Sequence, residues 1–137
     1  RLGLYAAVTR ELPGGGPDMG LLAAPYFLTL PDRPTAIFCY NDMMAVGVLQ
    51  GLKQAGLQVP EEMSVTGFDN IVYSAYTSPA LTTFDQPKHF IGAEAARFVL
   101  ELLQTPDGED SWPEQQSRIL QGKLLVREST APPLHSR

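Results

Sequence analysis

The sequence predicts an α/β fold, a parallel sheet with flanking helices. Two observations predict it. The first is an apolar run at Ala36–Cys39, a striped amphipathic segment over 43–55, and a second strand-like run at Ser64–Phe68. Strand, helix, strand in that order is the parallel crossover unit. The second is composition. With 137 residues, 44% apolar and 18% charged, the chain has enough apolar material for one domain with a modest core.

The elements follow in order. Residues 2–12 read as a short helix ended by Pro13 and the breaker Gly14-Gly15-Gly16-Pro17. "DMGLLAAPYFLTL" has helical spacing, but Pro25 lies inside it, so a kink or two short pieces are expected there. "AIFC" is wholly apolar, as strands buried on both faces of a parallel sheet are. Asn41 and Asp42 are helix-start residues. The helix 43–55 carries the core stripe Met44, Ala45, Val48, Leu49 and Leu52, and Gly56 closes it. After the Ser64–Phe68 strand, "NIVYSAYTSP" is a weak helix and "LTTF" a short strand. Pro87 opens a helix running to about Gln104, with an apolar stripe of Ile91, Ala95, Phe98, Val99 and Leu102. Glu94, Arg97 and Glu101 form its solvated face. "TPDGEDSWPEQQ" is a polar loop, "RILQGKLLV" two short strand pieces around Gly122, and "APPLHSR" a loose tail.

Several function classes are disfavoured. A net charge of -5, with no basic stripe, makes this stretch a poor grip for nucleic acid. One cysteine, Cys39, allows no internal disulfide and suits a reducing, cytoplasmic setting; inert burial is its default reading. No apolar run is long enough to span a membrane. The start "RLGLYAAVTR" has neither a signal-peptide segment nor an initiating methionine, as expected of a fragment. No nucleophile elbow, phosphate loop after a strand or CxxC motif is present, and His89 and His135 have no partners at metal spacing. Neither an enzyme nor a cofactor is expected.

Two acids follow two successive strands, Asp42 and Asp69. In open α/β sheets ligands bind beyond the carboxyl ends of the strands. For Asp42, capping the helix that follows is the favoured reading. For Asp69 capping explains less, and a carboxylate there suits paired sugar hydroxyls or the N–H groups of a heterocycle. Trp112 reads as a packing anchor before a stacking platform. Met43 and Val46 lie off the core stripe, where a partner helix would cover them.

With these residues in place, "RPTAIFCYNDMMAVGVLQGLKQAGLQVPEEMSVTGFDNIVYSAYTSPALTTFDQP" resembles the lactose/galactose repressor family of bacterial transcription regulators. "LLVREST" is similar to that family's closing strand, and the strong match spans Pro34–Thr130. The resemblance implies a periplasmic-binding-protein-like (type I) effector core of two lobes, with a DNA-reading helix-turn-helix outside this sequence. It implies that residues 1–86 form the C-terminal lobe, 87–116 a crossover into the other lobe, and 117–137 the returning strand and tail. It assigns ligand binding, to a small sugar or purine-like effector, to Asp69, Asn41, Gln86 and Arg1. It assigns a homodimer surface to Met43, Val46, Gln50 and Tyr73. Against the family pattern the helix-turn-helix, the hinge helix and most of the N-terminal lobe are missing. About one strand is short between Tyr5 and Asp18. The function implied is effector sensing for a transcriptional regulator. The alternative of the same fold is the periplasmic sugar-binding protein of a transporter.

Overall fold

A computed structural model of the chain describes residues 13–104 and 118–133. The expected helix over 2–12, Arg1, Trp112 and His135 lie outside the described residues. Two compact units divide the chain, Arg1–Asp85 with Leu124–Arg137, and Gln86–Lys123.

In the first unit the order is α1 (Pro17–Leu28), β1 (Ala36–Phe38), α2 (Asp42–Gln54), β2 (Ser64–Phe68), a 3-10 turn at Val72–Ala75, and β3 (Thr82–Asp85). β4 (Lys123–Leu125) completes a four-stranded sheet in the order β1-β2-β3-β4. β1 pairs with β2 in parallel, Ile37 opposite Val65, and β2 with β3 in parallel, Gly67 opposite Thr83. β1–α2–β2 is therefore the expected crossover. One expectation needs correcting. Among the described residues β1 is the outermost strand, and it is not buried on both faces: only Ile37 of its three residues is buried, and Phe38 is 71% exposed. The sheet is covered by α2 on one side, and α1 packs on α2 as an outer layer.

The α2 stripe was legible because its period matches the helix. Met44, Ala45, Val48, Leu49 and Leu52 all enter the core with Ile37, Cys39, Met63, Val65 and Leu81. Asn41 caps the helix, its Oδ1 accepting from the Met44 N–H at 2.7 Å. At the other end Gly56 takes φ +80, Leu57 N–H donates to the Leu52 carbonyl and Gly56 N–H to Lys53. That is a Schellman close, and it turns Leu57 back onto the core.

α1 is a single helix through Pro25, where a break was expected. The reason is tertiary. Gly20 and Ala24 of α1 meet Gly47 and Gly51 of α2 so closely that backbones touch. A Cβ at Gly20 would collide with the Met44 carbonyl, and one at Gly47 with the Pro17 carbonyl. The Leu21 carbonyl, which Pro25 leaves without its helical donor, lies 3.2 Å from where a Cβ on Gly51 would sit. Small residues four apart on both helices allow this approach, and the burial it brings outweighs one lost bond near a helix end.

The C-terminal expectation is also corrected. Only Lys123–Leu125 forms a strand, not two pieces. The next residues clasp rather than extend. Ser129, fully buried, donates its Oγ to the Val65 carbonyl (2.6 Å) and accepts there from the Thr82 N–H (2.8 Å), while its own carbonyl accepts from the Val65 N–H. This joins β2 to β3 at their amino ends.

In the second unit α3 (Lys88–Gln104) begins right after Pro87, as the sequence predicts. Its apolar stripe is exposed at Ile91 and Val99 and half-buried at Phe98. The charged face is ion-paired rather than simply solvated. Arg118 bridges Glu94 and Glu101 and lies over the Phe98 ring at 5.9 Å. No helix among the described residues is long and apolar enough to cross a membrane.

Two outcomes are expected. Gly47→Ala destabilises the chain by ~1–3 kcal/mol through overpacking, although alanine is the better helix former by about 1 kcal/mol. Gly92→Ala, where nothing stands within 4 Å, gives the opposite sign. Thermal melts of the two variants check this. The Cys39 thiol is pushed up to about 12, first by burial and then by the nearby Asp42 charge. An unfolded thiol ionises near ~8.5. The folded chain therefore gains stability from this group below that pH and loses it as pH rises toward 12. Between pH 9 and 11 wild type is expected to lose up to ~1.4 kcal/mol per pH unit more than Cys39→Ala, read from denaturant melts.

Candidate ligand site at the strand ends

β2 ends in strain. Asp69 has φ 107 and Asn70 φ 48, two consecutive non-glycine residues in the left-handed region. Asn tolerates this better than most; Asp at 107 does not, and such backbone costs about 1–3 kcal/mol each. The surrounding bonds must hold it. Asp69 N–H donates to the Phe84 carbonyl at 3.0 Å. Asn70 donates its N–H to Thr83 Oγ1 (3.3 Å) and its Nδ2 to Asp85 Oδ1 (3.1 Å). Its Oδ1 accepts from Arg127 Nη2 (2.9 Å), while the single Ser74 hydroxyl hydrogen goes to the Ile71 carbonyl at 2.7 Å. The corner is thus over-determined, and Asp69 is half-buried at the carboxyl end of β2, one of the two inner strands.

At the end of β1 the two polar residues divide the work. Asn41 is the cap, and its Nδ2 donates to the Gly15 carbonyl at 3.2 Å. Asp42 is not the cap. It is fully buried as the first residue of α2, Oδ1 accepting from Thr83 Oγ1 at 2.5 Å and Oδ2 from the Ile71 N–H at 2.8 Å. Burying a carboxylate without partners costs several kcal/mol, so these two donors and the helix N-terminus are what make the position tenable. Gly67 of β2 is small for the same reason, since a Cβ there would strike Asp42 Oδ1.

At the end of β3, Phe84 stacks on Phe68 with ring centres 5.1 Å apart and planes 9° off parallel. The pair lies on the sheet face away from Asp42. Phe38 and Tyr40 at the end of β1 are exposed. The strand ends therefore offer carboxylates, amides and flat apolar surface together, the mixture that grips a polyhydroxylated or heterocyclic molecule without reacting with it. Among the described residues no group of three His, Cys, Asp or Glu is arranged to hold a metal ion.

The residues named from sequence fall as follows. Asp69 and Asn41 lie at the ends of adjacent strands β2 and β1. Gln86 opens the second unit, its carbonyl accepting from the Lys88 N–H. Arg1 is outside the described residues. Met43, Gln50 and Tyr73 are exposed and Val46 is half-buried. Val46 and Gln50 border a groove of about 430 Å³ whose other walls include Pro17, Lys53 and Thr77. Sequence reading missed Asn70, Thr83 and Arg127. The Asp-Asn pair after a strand was a usable signal for Asn70. Arg127 had none, because its partners are 46 to 57 residues away.

Residues 4–130 match the family described as periplasmic binding protein-like domain. The HTH-type transcriptional repressor PurR of Vibrio cholerae serotype O1 is 45% identical over 92 residues, covering 67% of this chain and 27% of the relative. That of Vibrio atlanticus is 39% identical over 104 residues, covering 76% and 31%. Among solved structures, a LacI family transcriptional regulator from Enterococcus faecalis V583 with bound ribose is similar at TM-score 0.74 and 35% identity, covering 88% of this chain and 42% of that one. The transcription regulator CcpA of Lactococcus lactis is similar at 0.73 and 28%, covering 86% and 41%. The chain thus spans about a third or less of these curated relatives and about two-fifths of the solved ones. With its parallel sheet, its strand-end polar corner and a match over nearly its whole length, the chain belongs to the periplasmic binding protein-like domain family, in the branch of lactose/galactose repressor-type regulators.

Proposed function

We propose that the chain is the effector-sensing portion of a bacterial transcriptional regulator acting in the cytoplasm. It binds a small sugar or nucleobase-like molecule and does no chemistry on it. The observation that carries this reading is the strained Asp69–Asn70 corner at the carboxyl end of β2, held by four hydrogen bonds and flanked by the Phe68–Phe84 stack. Strain kept at such a place is a mark of ligand clamps. A related regulator holds ribose, and other relatives are repressors, which supports both the ligand class and the absence of catalysis. In this reading Asp69 grips the ligand, with Asn41, Gln86 and Arg1 as further contacts. In this reading residues 1–86 and 117–137 belong to one lobe and 87–116 to the other; the compact units support a division near residue 86 and near residue 123, with Arg118 on the α3 side. DNA contact falls to a region outside these 137 residues, whose net charge of -5 suits no such role.

The test is Asp69→Asn, titrated calorimetrically with ribose and with hypoxanthine in the full-length regulator. Losing a charged acceptor costs ~1.5–3 kcal/mol, or roughly ten- to a hundred-fold in affinity, with little change in melting temperature. Unchanged affinity removes Asp69 from the site.

The reading includes a homodimer through Met43, Val46, Gln50 and Tyr73. Support comes from exposed Val72, Tyr73 and Tyr76 as an apolar strip on the 3-10 turn, and from the groove beside Val46. A two-fold contact brings like residues together at the axis. Val46→Lys is therefore expected to shift sedimentation toward monomer; an unchanged dimer fraction places the interface elsewhere.

A further inference from the structure

We propose that Arg127 is a positioning residue of the ligand site, setting the Asp69 carboxylate through Asn70. The inference rests on the reading of Asp69 as a ligand contact. Arg127 lies in a segment that contributes nothing to the strand ends itself. It is anchored by its backbone, whose N–H donates to Thr82 Oγ1 at 2.9 Å, and by Ser129 two residues on, buried between β2 and β3. From that anchor the guanidinium spreads over three acceptors. Nη1 donates to the Leu81 carbonyl (2.8 Å) and Ser74 Oγ (3.1 Å), and Nη2 to Asn70 Oδ1 (2.9 Å).

This fork does something no local bond does. Asn70 is the second of two left-handed residues, so holding it restrains the corner that carries the Asp69 carboxylate. Its side-chain amide is clamped from both ends, Nδ2 by Asp85 and Oδ1 by Arg127. Arg127 brings a charged donor to that oxygen, and it also holds Ser74, whose Oγ donates to the Ile71 carbonyl at 2.7 Å. One side chain therefore pins both the corner and the turn that follows. A planar guanidinium reaches acceptors on two sides at once; an ammonium is a single point and does not reproduce the spread.

The experiment compares Arg127→Lys, Arg127→Met and Asp69→Asn in the full-length regulator. Amide hydrogen exchange is read at Asn70 and Ile71, with Leu49 in α2 and Cys39, whose N–H donates to Thr66, as folding controls. Both Arg127 variants are expected to exchange at least ten-fold faster at Asn70 and Ile71 while the controls keep their protection. Calorimetry with ribose is expected to show each Arg127 variant at least ten-fold weaker. The double variant Arg127→Lys with Asp69→Asn is expected to be no weaker than Asp69→Asn alone, because both changes act on one contact. Unchanged protection at Asn70 and Ile71 in both Arg127 variants overturns the positioning role, whether or not ribose binds. Additive losses in the double variant also overturn it, as does equal loss of protection at the controls in both variants. If Asp69→Asn leaves ribose affinity unchanged, or wild type does not take ribose, the ligand reading fails separately, and the exchange result still decides the role of Arg127.

Discussion

The buried carboxylate of Asp42 is the constraint around which this chain is organised. It stands where β1 gives way to α2, yet it bonds β3 through Thr83 and the 3-10 turn through the Ile71 N–H. A charge with no solvent exposure has to find its donors within the fold, and the donors available are on strands that come later in the sequence. Its placement sets the spacing of β2, which must pass beneath it as Gly67. It sets Thr83, whose hydroxyl donates to Asp42 and accepts from the Asn70 N–H. A relay of two hydrogen bonds thus runs from the capped end of α2 to the strained corner beside Asp69, and each bond polarises the next.

A second clasp works at the opposite end of the same strands. Ser129 joins β2 and β3 at their amino ends, as Asp42 and Thr83 tie the carboxyl ends to α2. The central pair of strands is held at both ends by buried polar contacts, and apolar packing of Val65, Leu81 and Leu52 fills the space between. Rigidity at the strand ends is what the proposed ligand site needs. A loop corner in an unfavourable backbone region keeps one orientation only when its neighbours leave no alternative. Glycine packing of α1 on α2 adds stiffness from behind, since helices in backbone contact have little room to shift.

How much of this could be read beforehand varies by element. α2 was legible to within a residue at each end, because a helical stripe, an Asn-Asp start and a Gly stop all agreed. β2, β3 and α3 were nearly as clear. α1 was misread because proline's local penalty was visible and the glycine-to-glycine contact that outweighs it was not. β1 was read as buried on both faces because its residues are apolar, but apolarity alone does not tell a strand with one open face from a covered one. Residues 118–126 were read as two strands around Gly122, where one forms, and the clasp by Ser129 went unread because it bonds residues 47 and 64 positions away.

The sequence by itself determined the class of fold, the crossover unit, the family resemblance and the two acids at strand ends. All of these rest on patterns that repeat within a few residues: periodicity, caps, breakers and short motifs. Only the tertiary structure separated the acids into different jobs. Asp42 and Asp69 look alike in sequence, each an acid at the end of an apolar run beside an asparagine. The fold buries the first against Thr83 and Ile71 and leaves the second half-buried on a strained turn. That difference depends on Thr83, Ile71 and Gly67 closing around the first, and on Asp85 and Arg127 holding the turn beside the second. Contacts across such distances leave no periodic trace, so only the folded chain shows them.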